Sequence, residues 1–317
     1  VGWASSDWLM CPVPAPEDPC EDRLSTAARL QACTHPLLQP ASRPTRADDL
    51  LVYVNRWYSV DICFPSSPSS TQRGQIEPYM EPAMRSVCHS YPNVQMITLP
   101  GAYTERSVRL RQIAWDGPAP AGQTTTYDGE AVGYQGRVGF KAMLDAAQAE
   151  AGYDLRIFSA FRSAPTQYST FHSWVAREGG DADRASVYSA KPTHSEHQLG
   201  TTVDLTYWRG GSRVDPFADP YNFARSPEGV WIRENAHRFG VVTTYQADRV
   251  AQHQYQPEPW HLRFVGVEAA DAMRACDLNT EELLNHRYQI GALPDFPAMD
   301  LVYDRMRQLG YPVCMMP

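Results

Sequence analysis

Long apolar runs are missing from this 317-residue chain. None reaches the ~18 consecutive apolar residues that a membrane-spanning helix needs, so no helical span is expected. Net positive charge is missing too. With 28 basic against 36 acidic residues, a formal charge of −8 and a pI near 5.6, the chain lacks the basic faces that nucleic acid or an anionic membrane favours. Lysine is almost absent, with Lys141 and Lys191 the only two. That bias reads as codon composition and says nothing about function. There is no internal repeat, and the chain opens at Val1 without methionine or a charged-then-apolar leader.

At 43 % apolar residues the chain can bury a substantial core, and its length suits one main domain with appendages. Seven cysteines stand at positions 11, 20, 33, 63, 88, 276 and 314, toward the two ends. That distribution suits disulfide staples in an exported protein better than a thiolate metal site. The expected location is periplasmic or secreted, with a leader absent from this chain. An odd count leaves one thiol unpaired if all bridges are internal, and pairing of Cys276 with Cys314 is expected to pin down the C-terminal tail.

Residues 1–49 are rich in Pro, Ser and Ala and are expected to form an irregular, disulfide-stapled extension. Residues 50–275 form the main domain, and 276–317 a tail whose Met299, Val302, Met306 and Leu309 predict one helix packed on it. The run from Leu50 to Val60 is strand-like, and the Ser/Pro-rich stretch 65–71 is a loop. Phe140, Met143, Leu144 and Ala147 follow helical spacing within 138–151, closed by Gly152. A strand follows over 155–158, a helix over 166–177 and a loop over 179–186. A helix over 228–239 is framed by Pro227 and Gly240, with strands over 241–245 and 261–265. Short strands interleaved with helices predict an α+β fold, a small central antiparallel sheet flanked by helices, with cysteine-bearing terminal extensions.

The densest chemistry lies in Ser195-Glu196-His197-Gln198-Leu199-Gly200-Thr201-Thr202-Val203-Asp204, answered by Glu258-Pro259-Trp260-His261. Two imidazoles and one carboxylate suit a zinc ion that keeps its fourth position open for water. Glu258, three residues before the last ligand, is placed to take that water's proton. His197 and Asp204 are too far apart for one helical face if Gly200 breaks the chain between them, which places them on a loop leading into a strand that ends near Leu205. Pro259 favours extended backbone, so a local turn must bring both Glu258 and His261 inward. His194 has no carboxylate at matching spacing and fits a loop or supporting role. His172, His237 and His253 are expected at the surface or in packing. Trp231 and Trp260 are core anchors, as is Trp208, the one that could border the cleft. Arg263 is expected to pair on the strand after His261.

These segments resemble a known family. The text Ser-Glu-His-x-x-Gly-x-x-x-Asp, then Pro-Glu-Gly-x-Trp-Ile-x-Glu-Asn-Ala, then Glu-Pro-Trp-His-x-Arg-Phe-Val-Gly is similar to VanY-type D-alanyl-D-alanine carboxypeptidases. Their zinc peptidase superfamily also includes lysostaphin-like endopeptidases and the hedgehog signalling domain. Upstream, Ser159-Ala160-Phe161-Arg162-Ser163 with Gln167 resembles the family's Ser-Gly-Tyr-Arg segment and its following glutamine. The resemblance covers about residues 50–275 and is densest from 155 to 268. It implies a hedgehog/D,D-peptidase-like fold, with His197, Asp204 and His261 as Zn2+ ligands and Glu258 as general base. Arg162 would stabilise the oxyanion, and Ser195 and Gln167 would hold the substrate's terminal portion. Ala160, Phe161 and Thr202 depart from the family's usual Gly, Tyr and Ala or Ser, and Phe161 removes a phenol hydroxyl that could bind substrate.

The implied partner is a peptidoglycan stem peptide, and the leading expectation is removal of its terminal D-alanine. An endopeptidase cutting within the stem or crossbridge uses the same chemistry. A non-catalytic zinc-binding module is the remaining alternative, against which Glu258 weighs, since a structural zinc needs no base beside an open position. Nothing in the sequence sets the oligomeric state.

Overall fold

Period-two alternation builds the sheet that carries the site. In a computed structural model describing residues 26–92, 94–118, 124–127, 130–133 and 137–311, five strands pair antiparallel: β1 (Asp154–Ser159), β2 (Thr202–Arg209), β3 (Ser212–Val214), β4 (Val241–Thr243) and β5 (His261–Phe264). Their order is β4-β5-β2-β1, with β3 pairing β2. Along β2, Val203, Leu205 and Tyr207 enter the main apolar cluster, which leaves Thr202, Asp204 and Thr206 for the opposite face. Both faces are buried, so the strand's polar residues face other protein groups or the cleft.

Helix packing covers the sheet's apolar face, chiefly through the first long helix. Helix α1 (Phe140–Ala151) buries Phe140, Met143, Leu144 and Ala147 on the same cluster as Leu155, Ile157 and Leu262. Burial of Phe140, Met143 and Leu144 contributes roughly 1.5–3 kcal/mol each, and the Ala147 methyl less. Gly152 ends α1 in the left-handed conformation, φ 73°, as expected of a C-terminal glycine. Helices α2 (Ala164–Arg177), α3 (Ala182–Tyr188), α4 (Pro227–Asn235), α5 (Val267–Ala275), α6 (Thr280–Arg287) and α7 (Met299–Gln308) complete the chain's main elements. No helix among the described residues is long and apolar enough to cross a membrane.

Several local expectations differ from the structure. The Leu50–Val60 run is buried but forms no strand. Its carbonyls at Leu50 and Val52 accept from Nη2 of Arg263 at 2.9 and 2.7 Å, so a side chain does the work of a neighbouring strand. Strand β2 passes Leu205 and continues to Arg209, because Gly210 and Gly211 turn it into a hairpin with β3. Part of the 179–186 stretch is helix α3, started by Asp181, whose side chain accepts from the backbone N–H groups of Asp183 and Arg184. The tail holds two helices rather than one. Helix α6 begins with a reciprocal cap between Asn279 and Glu282 and buries acidic as well as apolar residues, which blurs its periodicity.

The N-terminal segment, expected to be irregular, carries a short helix, Thr26–Ala32, in its described part. It is stapled by Cys33–Cys276, and a second bridge joins Cys63 to Cys88. Cys276 therefore pairs with Cys33 rather than with Cys314. Cys314, Cys11 and Cys20 lie outside the described residues. Arg29 on the short helix also forms a buried ion pair with Glu282 of α6, which ties the two ends of the chain to each other.

Candidate active site

Strand register sets the first contact of the site. Asp204 on β2 and His261 on β5 are directly opposite in the antiparallel ladder. Oδ1 of Asp204 lies 3.3 Å from Nδ1 of His261. His197 arrives from a 3-10 turn, Glu196–Leu199, which Gly200 terminates at φ 67°. A Cβ there would meet Met96 and Arg111 at 3.1 Å, so both conformation and space favour glycine. The turn places Nε2 of His197 3.2 Å from Oδ2 of Asp204. All three ligand-type atoms lie within 4.8 Å of one another, and all three residues are buried.

Hydrogen bonds on the far sides of the rings choose the tautomers. Nδ1 of His197 donates to the carbonyl of Ala160 at 2.7 Å, leaving Nε2 with its lone pair toward Asp204. Nε2 of His261 donates to Oε2 of Glu196 at 3.0 Å, leaving Nδ1 toward Asp204. Nδ1 of His261 and Oδ1 of Asp204 are buried atoms without a hydrogen-bond partner. Two inward lone pairs and a carboxylate, with orphaned acceptors between them, fit a divalent cation, and the N2O donor set suits catalytic zinc. A second group of ligand types, Asp61, Cys63 and Cys88, has its two sulfurs committed to a disulfide.

Glu258 stands at the edge of this group. The turn required by Pro259 is present: the His261 N–H donates to the Glu258 carbonyl at 2.9 Å, and the Glu258 N–H to the Tyr245 carbonyl at 2.9 Å. Oε2 of Glu258 is 3.6 Å from Nδ1 of His261, and 19 % of its side chain is exposed into the cleft. Desolvation pushes its carboxyl up to about 7; His261, Gln256 and Arg162 oppose that rise and Asp204 adds to it. Asp204 behaves oppositely. Burial works against its ionisation, but the charge of the His197 and His261 imidazoles, when they are protonated, holds it well below the usual carboxylate range.

Arg162 follows β1, its backbone N–H bonded to the His197 carbonyl at 3.1 Å. Burial lowers its pKa while the charges of Asp204 and Glu258 raise it, and all three residues line the cleft. Gln167, expected to touch substrate, does something else. Its Oε1 accepts from Nη1 of Arg162 at 2.8 Å, and its Nε2 donates to Ser189 Oγ at 3.1 Å and the Ala190 carbonyl at 2.6 Å. Gln167 is fully buried and off the cleft surface, and its hydrogen bond holds Arg162 in place. Ser195 does line the cleft, a cavity of 280 Å3 that also includes Tyr245, Gln256 and Arg305.

Glu196, Tyr245 and Arg305 are the additions to the residues anticipated from sequence. Glu196 is buried, accepts from Thr244 Oγ1 at 2.8 Å and from Nη1 of Arg263 at 2.8 Å, and so joins His261 to the core. The Tyr245 ring lies 4.7 Å from that of His261. His194 is buried against the Pro192 carbonyl, outside the ligand group. Trp208 bonds Glu105 at 2.6 Å and does not line the cleft, whereas Trp260, a core anchor, reaches it.

Residues 135–267 match the family described as VanY: D-alanyl-D-alanine carboxypeptidase. The YodJ protein of Bacillus subtilis is 35 % identical over 142 residues, covering 45 % of this chain and 49 % of that protein. A D-alanyl-D-alanine carboxypeptidase of Enterococcus faecalis is 31 % identical over 150 residues, 45 % of this chain and 52 % of the relative. The chain spans about half the length of the curated relatives it matches. The structure of the LdcB LD-carboxypeptidase is similar in fold, with a TM-score of 0.51 and 21 % identity over 80 % of this chain and 97 % of that one.

Proposed function

From the match of residues 135–267 to the VanY family of D-alanyl-D-alanine carboxypeptidases, we propose that the chain is a zinc-dependent peptidase that removes the terminal D-alanine of peptidoglycan stem peptides. The observation that supports this reading is the convergence of His197 Nε2, Asp204 and His261 Nδ1 with Glu258 at their edge. His197, Asp204 and His261 would hold the ion, and zinc supplies Lewis-acid activation of a water molecule when bound. Glu258 removes a proton from the attacking water and later delivers one to the leaving amine, from a position at the edge of the ligand group. The Arg162 guanidinium, held by Gln167, meets negative charge as it develops on the scissile carbonyl oxygen. Ser195 offers a hydroxyl to the substrate from the cleft wall.

Two disulfides support a place outside the cytoplasm, with wall peptides as the partner. The deciding experiment is product mass. Zinc-loaded protein is incubated with muropeptides that carry intact pentapeptide stems. Loss of one alanine supports the carboxypeptidase reading, and release of internal fragments replaces it with an endopeptidase. Zinc content with no cleavage across the panel overturns both and leaves a binding module.

A further inference from the structure

The last helix, α7, lies beyond the family-matched residues and still reaches the cleft. Its Val302 and Met306 are buried in a cluster with Val187 and Val250, and Tyr311 just beyond it meets the Tyr221 ring at 5.0 Å. Packing on one side of α7 fixes what the adjoining side presents. Arg305 is the α7 residue that lines the cleft. Its Nε donates to Oε1 of Gln256 at 3.3 Å, and its guanidinium lies 5.6 Å from the centre of the Tyr188 ring. Gln256 and Glu258 line the same cleft, two residues apart along the chain, so Arg305 and the proton-transfer carboxyl open onto one cavity. Among the described residues Arg305 makes no ion pair, whereas its helix neighbours Asp304 and Arg307 pair with each other.

We propose that Arg305 is a specificity-determining residue that binds the substrate's C-terminal carboxylate at the end of the cleft beside Gln256. This rests on the peptidase reading and deepens it. The Nη1 and Nη2 groups of Arg305 remain available, and a planar guanidinium matches a carboxylate with two parallel hydrogen bonds. Arg162, by contrast, has its Nη1 held by Gln167. A terminal carboxylate bound by Arg305 in the cleft it shares with Glu258 would be that of the residue being released. An internal peptide bond has no such group, so Arg305 favours removal of a terminal residue over cutting within a chain.

The test uses two peptides with identical D-Ala-D-Ala ends, one a free acid and one a carboxamide, and the zinc-loaded protein. Arg305→Gln is expected to lose about tenfold or more in kcat/KM on the acid, mostly through KM. On the carboxamide it should stay within about twofold of the parent, and Arg305→Lys should recover part of the acid preference. Equal losses on both peptides, or no loss on the acid, overturn the proposal. Calorimetric binding of both peptides to zinc-loaded Glu258→Gln protein, with and without Arg305→Gln, separates this from failure of the peptidase reading. An acid preference that depends on Arg305 supports the site even if the parent cleaves neither peptide. Binding without that dependence, or no binding of the acid, overturns it even if cleavage proceeds.

Discussion

Oε2 of Glu196 accepts the Nε2 proton of His261 across 3.0 Å, and that single bond decides which nitrogen of the ring turns toward Asp204. A carboxylate behind a ligating imidazole also makes the ring a stronger donor. Glu196→Gln keeps an acceptor in place but removes the charge. The expected result is a fall of about 10–100-fold in zinc affinity, read by competition with a chromophoric chelator. Unchanged affinity would remove Glu196 from the site's support.

The same carboxylate holds a fully buried arginine. Nη1 of Arg263 donates to Oε1 of Glu196 at 2.8 Å, while Nη2 serves the carbonyls of Leu50 and Val52. Arg263→Leu strands one buried carboxylate oxygen and two carbonyls at once. Breaking such a pair from one side costs about 3–5 kcal/mol. Urea unfolding of the zinc-free protein measures it, and a loss below about 1 kcal/mol would mean that water reaches the abandoned groups.

The difference between what was legible and what was not follows from where each residue's partners lie. His197, Asp204, Glu258 and His261 announce themselves because ligand-type residues recur within two short segments, and the register of β2 and β5 brings those segments together. Arg162 stands out beside them. Glu196 does not, because an acid between Ser195 and His197 reads as solvated until the fold buries it against Arg263. Arg305 sits on an amphipathic helix in the tail, where an arginine ordinarily faces water. The Leu50–Val60 run reads as a strand from its Val and Tyr content, yet its backbone is satisfied by Arg263 from more than two hundred residues away. Partners distant in sequence are what local pattern cannot supply.

Two histidines outside the ligand set give the fold a pH dependence. Burial pushes the imidazoles of His194 and His253 down to about 4. In the unfolded chain a histidine titrates near ~6.5, so between those values the unfolded state binds more protons and stability rises with pH. The contribution is fully present above about pH 6.5 and is lost as the pH falls through about 4, on the order of 3 kcal/mol per histidine. Imidazole resonances followed by NMR in the zinc-free protein should show both rings neutral at pH 5.5. Midpoints near 6.5 would contradict their burial as neutral groups.

Separating metal retention from turnover is the sharpest test of the roles assigned in the cleft. Glu258 is 3.6 Å from the nearest ligand-type nitrogen, and its side chain reaches the open cleft, so removing its charge leaves His197, Asp204 and His261 in place. Glu258→Gln is therefore expected to bind zinc stoichiometrically and to lose about 10²–10⁴-fold in kcat, the usual worth of a positioned acid–base group. His197→Ala takes away a donor whose tautomer is held by the Ala160 carbonyl, and should lose zinc and activity together. Metal analysis by atomic emission and stem-peptide hydrolysis on the same preparations give both readouts. Because the Glu258 carboxyl is raised rather than lowered by its surroundings, the glutamine variant has no strong ion pair to lose, and its thermal stability should match the parent. Full turnover in Glu258→Gln would move the proton-transfer step to another group.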